Sequence, residues 1–141
     1  MDIEIRPATA GDEAAVVRLW REAGLVVPYN DPSHDFMFAV SGDSSDVLVG
    51  VDRAQAIVGA VMVGHDGHRG WLYYVASDPA HRGLGIGRRM IAAAEGWLKD
   101  RGIRKVQLMV RESNAGVVNF YERLGYDVTP RVVMAKWIHG V

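Results

Sequence analysis

A chain of 141 residues suits one domain with one core, and 49% apolar with 23% charged residues is the composition of a globular rather than a disordered protein. With 16 basic against 17 acidic residues the net charge is −1, without the basic excess that a nucleic-acid binder carries. The absence of cysteine excludes disulfides, cysteine–metal sites and a cysteine nucleophile.

No stretch approaches the ~18 consecutive apolar residues of a membrane helix. The N-terminus places Asp2 and Glu4 where a secretory signal would be basic and then apolar. The expectation is a cytoplasmic protein with no membrane and no nucleic-acid partner, a monomer or homodimer.

Ile3 and Ile5 alternate with charges and predict a short first strand. Thr9, Asp12 and Glu13 read as a helix cap followed by acids in the first turn, and Val16, Leu19, Trp20 and Ala23 follow at helical spacing until Gly24. After a loop over Leu25 to Asn30, Asp31-Pro32 suits an N-cap and first helical position, predicting a short helix to Val40. Val47 to Val51 and Ile57 to Val63 are strands by β-branched content and form a hairpin. Asp66-Gly67 marks a second hairpin connection within His65 to Gly70. Trp71 to Ser77 then reads as a fourth strand, buried on both faces.

Gly87 to Arg101 predicts a helix with Met90, Ile91, Ala94, Trp97 and Leu98 on one face and Gly102 as its stop. Lys105 to Val110 is a strand. Ser113 or Asn114 caps another helix, with Val117, Val118, Tyr121 and Leu124 on its face and Gly125 at its end. Val132 to Ile138 is a last strand, with a further short one near Tyr126. Antiparallel hairpins precede a strand–helix–strand crossover that should be parallel and right-handed. Trp20 and Trp97 each fit an apolar helix stripe and are expected in the core.

The segment that carries chemistry is Asp78-Pro79-Ala80-His81-Arg82-Gly83-Leu84-Gly85-Ile86-Gly87-Arg88-Arg89, between a strand and a helix. Alternating glycines let the backbone approach a ligand, and a helix start offers unpaired N–H groups and a positive dipole end. Together they suit a pyrophosphate, with Arg82, Arg88 and Arg89 adding positive charge. The Rossmann spacing fails because its third glycine position is Arg88, and a P-loop fails for want of its lysine.

Arg82-x-x-Gly85-x-Gly87 resembles the R/Q-x-x-G-x-G/A signature of the GNAT acetyltransferase superfamily. Asn114 to Tyr126 is similar to the N-x-x-A-x-x-x-Y-x-x-x-G-F segment of the same superfamily, in the same order and near the usual separation. The resemblance covers nearly the whole chain and is most specific from Tyr73 to Tyr126. Within the superfamily, Asn30-Asp31-Pro32 and Asp66 to Gly70 look like small bacterial YpeA-type acetyltransferases. The resemblance implies a single domain over residues 1–141, an α/β (α+β) GNAT fold. Its sheet would be mixed but mostly antiparallel, with six to seven strands flanked by about four helices.

It also implies acetyl transfer from acetyl-CoA, as co-substrate and without a metal, to an amine by direct attack in a ternary complex. Val75, Ala76 and Ser77 would offer backbone hydrogen bonds to pantetheine as an added strand does. Arg82, Gly83, Leu84, Gly85, Ile86, Gly87 and Arg88 would hold the pyrophosphate, and Asn114 the pantetheine arm. Tyr121 would face the sulfur as the catalytic proton donor, since a phenol with a pKa of ~10 is protonated at neutral pH. A backbone N–H near Val75 would receive the oxyanion. Tyr29, Asn30, Asp31 and His68 are the candidates for acceptor binding, and Asp31 and Asp35 for pairing with a cationic acceptor. Two carboxylates common in related enzymes are replaced by Trp71 and Met109. His65, Asp66, His68, Glu112 or water are then left as the route for deprotonation. The competing class is a non-catalytic acyl-CoA-binding or sensing module.

Overall fold

The computed structural model describes residues 1–139. The chain divides after Met109 into two compact units.

The first unit is a five-stranded sheet with three helices. Its elements are β1 (Glu4–Pro7), α1 (Glu13–Glu22), α2 (Pro32–Ser41), β2 (Ser45–Val51), β3 (Ile57–His65), β4 (Gly70–Ser77), α3 (Ile86–Asp100) and β5 (Val106–Leu108). The strands lie in sequence order. The first three pairings are antiparallel, and β4 pairs with β5 in parallel across the α3 crossover. The α/β class and the mixed, mostly antiparallel sheet are as expected from the sequence. The connection between β3 and β4 is longer than a two-residue turn, running from Asp66 to Arg69.

The helices sort by their apolar stripes. α1 buries Val16, Val17, Leu19 and Trp20, and α2 buries Phe36 and Ala39, in one cluster with Val47, Val49, Ala60 and Ala76. Trp97 is only half-buried and carries the Arg101 guanidinium 3.5 Å above its ring, so its indole serves as a cation platform at the core's edge. Asp31 caps α2 as expected, accepting from the Ser33 and His34 amides at 3.1 and 3.2 Å. β1 is tied to α1 by Arg6, whose fork reaches Asp12 at 2.7 and 3.1 Å and holds that carboxyl down to about 2.

α3 sits on the other face, over a row of strand glycines. A Cβ at Gly50 would stand 3.1 Å from Met90 Sδ, one at Gly59 2.7 Å from Ile86 Cγ2, and one at Gly70 2.5 Å from Leu98 Cδ1. Gly50 and Gly59 are register partners on β2 and β3. The helix therefore packs closer to the sheet than any side chain would allow. Gly59→Ala should cost about 1–3 kcal/mol by overpacking. A urea melt measures it, and an unchanged midpoint would show that α3 has room to retreat.

The second unit begins at Val110. It holds a 3₁₀ segment (Glu112–Val117) running into α4 (Val118–Arg123), so the single helix expected from Ser113 or Asn114 is broken into two. The break is at Asn114, whose φ of −119° and ψ of 34° leave the helical region. The strands expected near Tyr126 and over Val132 to Ile138 do not form among the described residues, so the sheet has five strands rather than six or seven. Val132, Met134 and Ile138 are 90%, 91% and 84% exposed. Their apolar, β-branched composition predicts a strand, but a strand also needs a ladder partner, and Pro130 removes one donor. No helix among the described residues is long and apolar enough to cross a membrane.

Candidate active site

β4 is interrupted where the chemistry is expected. Tyr73 pairs with Met62 and Ala76 with Ala60, so Tyr74 and Val75 together oppose the single residue Val61. Such a bulge takes an extra residue out of the ladder and re-aims its side chain. Tyr74 adopts φ 53°, the left-handed region that a bulky residue rarely enters. The consequence is a change of face. Gly70 lies against Leu98 of α3, so Leu72 shares that face and Trp71 and Tyr73 take the other. Tyr74 also faces α1, stacked on Trp20 at 4.0 Å and 16°. Two consecutive tyrosines therefore stand on one side of the sheet. The strand is correspondingly not buried on both faces as its sequence suggests: Tyr73 is exposed and Trp71, Tyr74 and Val75 are half-buried.

The opposite edge of β4 opens at the same place. β5 pairs only with Gly70, Trp71 and Leu72. From Tyr73 to Ser77 that edge has no strand neighbour among the described residues, so no ladder pairs the main chain around Val75 on this side. Ala76 is buried in the core, which leaves only its main chain to meet a ligand there, while Val75 and Ser77 are half-buried.

The chain runs on through Pro79–His81 into the glycine turn. Gly83 and Gly85 hold φ of 79° and 74°, which explains the spacing of the glycines. Gly85 is the N-cap of α3 but has no side chain to cap it, and the first turn holds no acid. The first helical backbone bond of α3 is from the Arg89 amide to Gly85 O, so the amides of Ile86, Gly87 and Arg88 have no partner among the described residues. Most helix starts fill these positions with Ser, Asp or Glu. This one leaves donors and dipole to an anion. Arg82 and Leu84 are exposed beside it, and the Arg88 guanidinium folds back to 3.6 Å from where a Gly85 Cβ would be. Ile86 turns its side chain into the sheet and offers only its amide. Arg89 departs from expectation: its guanidinium bonds to Met1 O and Ile3 O at 3.1 Å each, fastening the N-terminus rather than adding charge to the turn.

In the second unit, Asn114 is exposed at the break of the 3₁₀ segment, with its amide on Arg111 O. Tyr121 lies on α4, half-buried, with the Phe120 and Tyr126 rings at 5.2 and 5.8 Å. Burial pushes its phenol pKa up, so it remains a proton-bearing donor across the neutral range.

The acceptor candidates fall into two places. Tyr29 is 60% exposed just before α2, Asn30 donates its amide to Val27 O, and Asp31 caps α2. His68 lies in the β3–β4 turn. That turn is organised by Asp66, whose carboxylate accepts from the His68 and Arg69 amides at 2.9 and 2.7 Å and from Trp71 Nε1 at 3.3 Å. These bonds, the Arg69 amide foremost, hold Asp66 down to about 2, which makes it a poor base. His65 Nδ1 accepts from the Gly67 amide in the same turn. His65 and Asp66 thus build the turn itself. Among the described residues no group of three or more His, Asp or Glu gathers in a way that could hold a metal ion.

Tyr74 is the residue that reading the sequence missed. Its hydroxyl donates to Asp35 Oδ2 at 2.8 Å, across a chain separation of 39 residues. No local pattern marks a bulge at a tyrosine.

Residues 14–126 match the model of the acetyltransferase (GNAT) family. An acetyltransferase of Pectobacterium atrosepticum is 40% identical over 95% of this chain and 94% of its own length. One of Yersinia enterocolitica is 38% identical over the same shares. Among solved structures, AAC(6')-Iy in complex with the bisubstrate analogue CoA-S-monomethyl-acetylneamine superposes with a TM-score of 0.82 at 16% identity, covering 97% of this chain and 99% of that one. A predicted acetyltransferase from Clostridium acetobutylicum with acetyl-CoA gives 0.77 at 16%, covering 96% of each. A bulged strand with an open edge, leading into an uncapped glycine-started helix, is thus found in a chain that belongs to the GNAT family of acetyltransferases.

Proposed function

We propose that this protein acts as a single acetyltransferase domain that moves the acetyl group of acetyl-CoA to an amine, by direct attack while both are bound. The observation that carries this reading is the run of chain from the unpaired β4 edge to the amides of the α3 start. Pantetheine is a chain of amides and would lie along Val75 to Ser77 like an added strand. The pyrophosphate would rest on the turn from Arg82 to Arg88, with Asn114 on the pantetheine arm. A main-chain N–H near Val75, released from the ladder by the bulge, would receive the oxyanion of the tetrahedral intermediate.

In the reaction the neutral amine forms a bond to the thioester carbon, the C–S bond breaks, and the thiolate leaves. Tyr121 would hydrogen-bond the departing sulfur. With Asp66 tied into its turn, proton removal from the amine would fall to water. The complete absence of cysteine fits a reducing, cytoplasmic setting.

Incubation with acetyl-CoA and polyamines, aminoglycosides, amino acids and short peptides, read by free thiol and product mass, tests the reading. No acetylated product with any of them would return the chain to an acyl-CoA-binding role. For the acetylated amine, Tyr29→Ala and Asp31→Asn should raise KM about 3- to 10-fold, as for loss of one modest contact each. The acetyl-CoA Kd should not change. Asparagine still caps a helix, so an effect at Asp31 would report its charge rather than α2 stability. Wild-type KM in both would move the acceptor site away from this loop.

A further inference from the structure

The carboxylate of Asp35 is placed in a way that its role in the fold does not explain. It sits in the first turn of α2, half-buried, on the side of the sheet that receives α1 and α2. Its side chain accepts from the Tyr74 hydroxyl at 2.8 Å, and no ion pair to it forms among the described residues. Asp31, one turn earlier, already caps the helix. A half-buried carboxylate without a counter-charge is costly, and the phenol hydrogen bond and the positive end of the α2 dipole offset only part of that cost.

The residue that orients it is itself fixed at ring and backbone. The Tyr74 ring lies flat on Trp20 at 4.0 Å, and Trp20 is held edge-on by Phe36 at 6.3 Å. Its backbone is held at φ 53° by the bulge. The next residue is Val75, where the thioester carbonyl is placed under the reading above. The bulge therefore does two things with adjacent residues. It takes Tyr74 and Val75 out of regular pairing with β3, and it swings a phenol toward α2 to aim a carboxylate.

We propose that Asp35, oriented by Tyr74, is the residue that receives the acceptor's ammonium group, so that the acceptor is an alkylamine bound as its cation. This rests on the amine-acceptor reading of the site. The cation supplies the missing counter-charge and is selected over an alcohol or an uncharged amine. Asp35 is a specificity-determining residue, and Tyr74 is a positioning residue that acts through it. The ammonium releases its proton to water before attack, because a carboxylate is a far weaker base than an alkylamine.

The test uses putrescine, spermidine, lysine, kanamycin and trialanine as acceptors with acetyl-CoA, and takes forward the amine that the wild type acetylates fastest. Asp35→Asn keeps the shape and an acceptor for the Tyr74 hydroxyl but removes the charge. It should raise KM for that amine by about 10- to 100-fold, the range of a charge-assisted hydrogen bond, with the acetyl-CoA Kd unchanged. Tyr74→Phe should raise KM by a smaller factor, about 3-fold, by loosening the carboxylate. A second measurement needs no variant: the alcohol analogue of that amine should compete with it at least 10-fold more weakly than an unreactive trimethylammonium analogue, since only the latter carries the charge. Unaltered KM in Asp35→Asn, or equal competition by the two analogues, overturns the proposal while leaving amine acetylation intact. If the wild type acetylates none of the five amines, the amine-acceptor reading falls, and the proposal falls with it.

Discussion

Gly85→Glu is expected to abolish acetyl-CoA binding. Gly85 is the N-cap of α3 with φ 74° and ψ 18°, a conformation that costs a non-glycine residue about 1–2 kcal/mol. That strain alone would weaken the turn without erasing the site. The larger effect is electrostatic. The new carboxylate would stand among the first-turn amides of α3 and within reach of the Arg88 guanidinium, which lies 3.6 Å from the position of the added Cβ. It would occupy the place proposed for a phosphate and repel another anion there. The same carboxylate is favourable to the helix dipole, so the fold should survive. Calorimetry with a thermal melt of each protein separates the two effects. Gly85→Asn, which tolerates the left-handed region and adds no charge, should bind more weakly than wild type but measurably. An unchanged Kd in Gly85→Glu would mean that the pyrophosphate does not use this turn.

Tyr121→Phe is expected to lower kcat by about 10²-fold, the low end for loss of a proton-donating group, with little change in acetyl-CoA affinity. The substitution keeps the ring that packs against Phe120 and Tyr126, so stability should barely move. Burial raises the phenol above its ordinary value, so full proton transfer to a thiolate of pKa ~8.5 would be uphill. A hydrogen bond to the charge growing on sulfur is the stronger role. The sign of the pH dependence follows. Activity needs the phenol protonated, and a raised pKa moves its loss to more alkaline pH, so Tyr121 should impose no fall in kcat through the neutral range. A single-turnover measurement isolates the chemical step. Wild-type rates in Tyr121→Phe would remove this residue from the reaction.

The parts of this site legible in the sequence are those written in local pattern. Gly83 and Gly85 announce positive φ because glycine adopts it at least cost, and Asp31-Pro32 marks the start of α2 by capping chemistry. The buried face of α3 follows from the spacing of Met90, Ile91, Ala94 and Leu98. What stayed hidden depends on partners far along the chain. The apolar run from Trp71 to Val75 suggests burial on both faces, but a one-residue slip against β3 turns Tyr74 to the α2 side. Asp35 and Tyr74 are 39 residues apart, and neither predicts the other. Arg89 looks like a phosphate ligand by its place in the motif, yet helix geometry points it at the N-terminal strand. Val132 to Ile138 has the composition of a strand without the neighbour that would make it one.

The row of glycines beneath α3 reaches beyond packing. The amides proposed to hold the pyrophosphate stand at the very end of that helix, and their height above β4 is set by how deeply the helix sinks into the sheet. Gly59 seats Ile86, the first residue of α3, and Gly50 and Gly59 together seat Met90 one turn on. A methyl group added on β2 or β3 would therefore lift the start of α3 relative to β4, though it lies outside the turn proposed to hold the cofactor. Selection for cofactor affinity would act on strand interiors as strictly as on the turn, and variants lost in such a screen would include some whose lesion is purely mechanical. The converse also holds: cofactor bound across β4 and helix start would brace the two against each other, and amide exchange in β2 and β3 should slow on binding.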